Sequence, residues 1–362
     1  QQDYALSDMS KSCCAFFENI TKQISEFNLH GSQSNSQELQ TIQKKPFQEG
    51  QSNSQIPGID PILNLIQNEL CIELSKERQA LTLQLFTEVE EECQIKSIDQ
   101  LHSITELTIS GNKKYQGGSI SAFSLFLHQI PNVETLNLSF SNSGIQDEYF
   151  IKVLSKLPML TEIKILNIDL SKSEFLKDKS LEQIARVLKS LPKLVQLDVN
   201  FQDCDGFSEL GILAFLQIFP EITKLEVLSL DFEGLKSFTR DELKFLLGGL
   251  SKLNRLQSLS LNFQGCSKIE TSVIKVLSKR LKISSPRLTN FKLLLNKFKT
   301  NNPIFVNFTK QLSFKKATSF SLSLTDSADL SDKWLESLAE QIGEMTSLTN
   351  LYLSFAECPR LG

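Results

Sequence analysis

Leu225-Glu226-Val227-Leu228-Ser229-Leu230 and Leu256-Gln257-Ser258-Leu259-Ser260-Leu261 carry the same arrangement, apolar residues at the first, fourth and sixth places. Working outward in both directions, the pattern recurs as Ile104-x-x-Leu107-x-Ile109, Val133-x-x-Leu136-x-Leu138, Leu160-x-x-Ile163-x-Ile165 and Leu194-x-x-Leu197-x-Val199. It continues as Leu288-x-x-Phe291-x-Leu293, Ala317-x-x-Phe320-x-Leu322 and Leu348-x-x-Leu351-x-Leu353. The middle residues fall 29, 27, 34, 31, 31, 32, 29 and 31 positions apart, the mark of a repeat architecture in which each unit buries its apolar face on its neighbour.

Within a triad the apolar places alternate, as in a strand, and between triads the spacing turns helical: Phe150, Val153, Leu154, Leu157; Leu181, Ile184, Ala185, Leu188; Leu243, Leu246, Leu247, Leu250; Trp334, Leu335, Leu338, Ile342. Ser180 with Gln183 and Thr239 with Glu242 have the spacing of capping boxes. Pro131, Pro158, Pro192 and Pro220 stop the helices before the chain re-enters a strand. The unit is strand, loop, helix, turn, and the fold class is an α/β solenoid.

These residues resemble the leucine-rich-repeat family, in the long-repeat type typified by ribonuclease inhibitor, over residues 97–362. The resemblance implies a horseshoe with a parallel concave sheet and convex helices. It also implies an Asn or Cys ladder five places after each middle residue. Here Asn stands there only at Asn112 and Asn296, the other places holding Ser141, Ile168, Gln202, Glu233, Gln264, Thr325 and Ala356. The ladder is therefore expected to be mostly missing.

Upstream, residues 1–30 read as an amphipathic helix, with Ala15, Phe16, Phe17, Ile20, Ile24 and Phe27 at helical spacing, and residues 31–58 as a polar linker. Residues 59–96 read as a helical N-terminal cap opened by Asp60-Pro61, although Leu81, Leu83 and Leu85 alternate as in a strand. At the other end the sequence stops after the ninth strand and before its helix, so a continued or covered end is expected.

The function classes narrow from composition. With 38 Lys+Arg against 42 Asp+Glu, bulk coating of nucleic acid is disfavoured. Three His without metal-ligand neighbours, and no nucleophile or phosphate-loop motif, predict no enzyme activity, no cofactor and no metal. Gly111 to Ser119 has the context of a phosphate loop but places its lysines before the last glycine, and reads as a turn. Seven scattered Cys point to a reducing, cytoplasmic setting, with a cytoskeletal or ciliary place as the alternative.

Strand alternation puts one side of each triad on the concave groove. The expected partner-binding row is Thr108, Asn137, Lys164, Asp198, Ser229, Ser260, Lys292, Ser321 and Tyr352. A second candidate is a basic patch of Lys275, Lys279, Arg280, Lys282, Arg287, Lys297 and Lys299, which would suit an acidic partner surface. Ser171 to Leu176 reads as an insertion in the long third repeat and a candidate partner loop. Phe140, Phe201, Phe232, Phe263 and Phe355 share one place and are expected to stack inside; Cys204, Cys266 and Cys358 share another and are expected as buried thiols. The leading functional expectation is a protein-protein interaction scaffold within a larger assembly. A substrate-binding adaptor of a ubiquitin ligase and a GTPase regulator are the alternatives.

Overall fold

A computed structural model describes residues 71–75, 80–85, 101–111, 120–269, 287–295, 316–327, 330–358 and 360. All belong to the second of two compact units, Gly58–Gly362; the first, Gln1–Pro57, contains the expected helix and nearly all of the expected linker, which lie outside the described residues.

The described strands form one sheet in chain order: β1 (Cys71–Ser75), β2 (Ala80–Leu85), β3 (Glu106–Gly111), β4 (Thr135–Ser139), β5 (Ile165–Asp169), β6 (Gln196–Asn200), β7 (Val227–Asp231), β8 (Ser258–Asn262), β9 (Asn290–Leu294), β10 (Ser319–Ser323) and β11 (Asn350–Ser354). Strands β2 to β11 run parallel, and β1 pairs antiparallel with β2. Helices α1 (Ile120–His128), α2 (Asp147–Lys156), α3 (Asp178–Ser190), α4 (Glu209–Leu216), α5 (Arg240–Leu250) and α6 (Asp332–Gly343) return the chain between strands. This is a leucine-rich-repeat solenoid.

Two expectations are corrected. Where a helical cap was expected over 59–96, Cys71–Ser75 and Ala80–Leu85 form an antiparallel hairpin, and Leu74 of the expected helical face lies in β1. Leu81 and Leu83 align with Leu107 and Ile109, so β2 is an extra unit whose first apolar place is taken by Arg78. In the third unit the register slips by three: Leu136 pairs with Leu166 and Leu138 with Ile168, making the true triad Ile163-x-x-Leu166-x-Ile168. The middle residues Leu136, Leu166 and Leu197 are then 30 and 31 apart, and the third unit carries no insertion. Ser171, Ser173 and Leu176 are buried, whereas Lys172, Glu174 and Phe175 of the same stretch are exposed.

The core runs through the stack without interruption, because the triad side chains of each coil pack on those of the next. Two places after the triads of β4 to β10 stand Phe140, Leu170, Phe201, Phe232, Phe263, Leu295 and Leu324, all buried, whereas Phe355 after β11 is only partly buried and Gly111 follows β3. Phe201, Phe232 and Phe263 stack with centroids 5.8 and 5.6 Å apart. At β11 the inner side chains Leu351 and Leu353 are 49% and 36% exposed, whereas their counterparts Phe320 and Leu322 are fully buried.

Among the described residues, four coils carry a side-chain donor to the preceding coil at the seventh place after the middle residue, while Ser143 at that place has no partner and Leu235 is apolar. There Ser173 donates to the Phe140 carbonyl (2.9 Å), Cys204 to Leu170 (2.9 Å), Cys266 to Phe232 (3.0 Å) and Cys358 to Leu324 (3.2 Å). Each thiol or hydroxyl thereby satisfies a buried carbonyl of the preceding coil. One place earlier the backbone turns left-handed, at Asn142, Lys172, Asp203, Gly234, Gly265, Asp326 and Glu357. This aims the N–H at the next coil, as in Asn142 to the Ser171 carbonyl and Asp203 to that of Glu233, both 2.8 Å.

Burial pushes the Cys204 and Cys266 thiols up to about 11 and about 12. Both are raised above the ordinary value of 9.0, so the stability tied to keeping them protonated is intact below about pH 9 and is lost as pH rises toward 11 and 12. We expect native Cys204 to resist iodoacetamide at neutral pH and to label only on unfolding, and Cys204→Ser, which installs the residue already used at Ser173, to keep the melting temperature within a few degrees. Mass mapping of labelled peptides and a thermal melt check the two.

Helix starts are tied across coils. Asp147 on α2 accepts from the Lys177 N–H (2.8 Å) and the Ser180 hydroxyl (2.6 Å), so α3 is capped at Lys177, three residues before the expected cap, and Ser180 lies inside its first turn. Asp178 does the same for the Ser208 N–H at α4 (2.8 Å). The capping box of Thr239 and Glu242 forms as expected.

Candidate functional site

From β3 to β10 each strand turns two residues into the core and the alternate ones toward the opposite face, giving outer rows at places one before, one after and three after the middle residue. The structure brings eight of the nine expected residues into a single row across hydrogen-bonded neighbours: Thr108, Asn137, Asp198, Ser229, Ser260, Lys292, Ser321 and Tyr352. Lys164 is not among them. The register slip places it just before β5, where its ammonium pairs with Glu134 at 2.6 Å, and Asn167 takes its place in the row. Ile165 and Asp169 are the other face residues hidden by the slip.

The face is knitted laterally by its own polar groups. Asn137 donates to Glu106 (2.9 Å) and Thr108 (3.1 Å), and Asn167 donates to Asn137 (2.7 Å). In the third row Asp169, Asn200, Asp231 and Asn262 each accept from the N–H two residues on, at 2.9 to 3.1 Å, fixing the exit of β5 to β8. Burial lifts the Asp198 carboxyl above its ordinary value; the charges of Asp231 and Asp169 raise it further, while a hydrogen bond with Ser229 and the Lys292 ammonium act the other way.

Of the basic patch, Arg287 is described and exposed; Lys275, Lys279, Arg280, Lys282, Lys297 and Lys299 lie outside the described residues, as do Gly111–Ser119 beyond Gly111 itself and the Cys13-Cys14 pair. An open cleft of about 380 Å³ at the strand-entry edge is lined by His102, Ser103, Thr105, Asn132, Glu134 and Glu162. Among the described residues no cluster of His, Cys, Asp and Glu could hold a metal ion, and no helix is long and apolar enough to cross a membrane.

Fold and face together define a repeat solenoid with a polar outer sheet face. No family model matches the sequence, and no curated protein matches it. Among solved structures the chain is similar to the leiomodin-1 actin-binding site 2, at 16% identity over 40% of this chain and 77% of that one, with a TM-score of 0.31. It is also similar to a chain of the yeast Rad7 and Elc1 complex, at 17% identity over 70% of this chain and 66% of that one, with a TM-score of 0.45.

Proposed function

We propose that the chain is a non-enzymatic protein-protein interaction scaffold whose concave face holds a partner, and that its solenoid is of the long-repeat, ribonuclease-inhibitor-like type. One observation carries the reading. Rows of half-exposed side chains, from Thr108 to Ser321, are held in register by paired strands while the core is filled entirely from the other side. Such a face presents many positions at fixed spacing to one surface. Helices in six of the described connections and steps of 29 to 32 residues from Leu107 to Leu351 support the subtype. The reading includes a reducing, cytoplasmic compartment, supported by the thiols of Cys204, Cys266 and Cys358, whose S–H groups serve as donors to backbone carbonyls.

The test is stoichiometric co-purification of the full chain with its partner, compared with two variants. Ser229→Arg, in the middle of the concave row, is expected to lower recovery at least tenfold. Leu210→Arg, at a position of α4 that is 77% exposed, is expected to leave it unchanged. Loss with Leu210→Arg and retention with Ser229→Arg would move the interface off the sheet.

A further inference from the structure

We propose that the centre of the concave face, over β5 to β7, holds an extended cationic segment of a partner protein, with Lys or Arg side chains against Asp169, Asp198 and Asp231 and aliphatic side chains against Ile165 and Val227. The inference rests on the concave reading above and names the chemistry of the partner.

The first observation is the asymmetry of charge. Across the described rows of β3 to β11 the face carries Glu106, Asp169, Asp198 and Asp231 against Lys292. The hydrogen bonds to the three aspartates come from neutral groups: the Ser171 N–H to Asp169, the Ser229 hydroxyl to Asp198, and the Glu233 N–H and Asn262 amide to Asp231. These donors orient the carboxylates and leave their charge in place. Adjacent strands lie about 4.8 Å apart, so the aspartates of β5 to β7 fall within about 10 Å along the stack. That is comparable to the screening length of about 8 Å at physiological salt, and their fields add.

The second observation is independent of charge. In the row before the middle residue, β3, β4, β8, β9, β10 and β11 hold polar side chains, whereas β5 and β7 hold Ile165 and Val227, both half-exposed, either side of Gln196. Neither packs in the core. Ile165 and Val227 lie four places, about 13 Å, from Asp169 and Asp231 on the same strands, and Asp198 stands between them in the middle row, so the centre of the sheet offers an aliphatic edge and an acidic edge with one acid between. Alternate residues of an extended segment supply both. Phosphate-rich partners are repelled by the same field.

The probe is a fluorescein-labelled peptide of alternating Lys and Val, with an alternating Glu and Val peptide as its counterpart, titrated with the full chain by fluorescence anisotropy. The Lys peptide is expected to bind, with affinity falling at least tenfold between about 50 mM and about 300 mM salt, and the Glu peptide is expected not to bind. The triple variant D169N/D198N/D231N is expected to weaken the Lys peptide at least tenfold while keeping the native circular dichroism and melting temperature. Asn already occupies the equivalent place of the third row at Asn200 and Asn262 with the same hydrogen bond. Failure of the Lys peptide to bind, equal binding of both peptides, or unchanged affinity in the folded triple variant overturns the proposal. If Ser229→Arg blocks the natural partner while the triple variant does not, the concave interface stands and its cationic occupant is rejected.

Discussion

Leu166→Asp is expected to abolish the native fold of the coils around β5, whereas Ile165→Asp, one residue away, is expected to leave the melting temperature within a few degrees of the parent. Leu166 is fully buried between Leu136 and Leu197, and Ile165 stands half-exposed on the outer row. An unpaired carboxylate in an apolar interior costs several kcal/mol, a large part of a domain's total stability of roughly 5–15 kcal/mol. On the solvated side of the sheet the same carboxylate keeps most of its water. Circular dichroism and urea titration of the two variants read the difference directly. The opposite outcome would restore the register in which Ile165 belongs to the core and Lys164 to the groove.

Phe232→Ala is expected to cost about 3–5 kcal/mol, the range for emptying a large aromatic site that its surroundings only partly refill. Phe232 lies between Phe201 and Phe263, nearly parallel to the latter at 9°, and meets Phe238 at 4.6 Å. The loss therefore reaches both neighbouring coils. Because each coil is supported mainly by the two beside it, the urea transition is expected to broaden or split, with the coils flanking β7 opening first. Phe175→Ala supplies the contrast: its ring is 54% exposed and its removal is expected to change stability by less than about 0.5 kcal/mol.

The sequence makes the solenoid legible because a triad of apolar residues recurs at a near-constant step, and it makes the face legible because alternation assigns each strand residue a side. Both inferences fail at the same point and for the same reason. Leu160-Thr161-Glu162-Ile163-Lys164-Ile165-Leu166-Asn167-Ile168 satisfies the triad in two frames three residues apart. The signal that separates them is the pair of steps 27 and 34, which become 30 and 31 in the correct frame, together with Leu170 falling where its sister coils carry Phe. β2 was harder to read because Arg78 breaks its triad. The shared place of Cys204, Cys266 and Cys358 was legible, but their bonds to the preceding coil were not, because Ser173 fills the same role and the place has no single residue type to announce it. The start of α3 was misplaced because its partner, Asp147, sits a whole coil away, where no local motif can register it.

The left-handed residue that ends each strand turn does more than close a bend. From Asn142 to Glu357 it offers its amide at one repeating point of the turn, so any coil bounded by two such points presents matching joints at both ends. The 31-residue step from Leu197 to Leu228 is repeated from Leu228 to Leu259. A gene segment of that length could be copied or excised in frame with its splices already complementary, so the span of such a protein can lengthen or shorten by whole increments while the chemistry lining it drifts on its own.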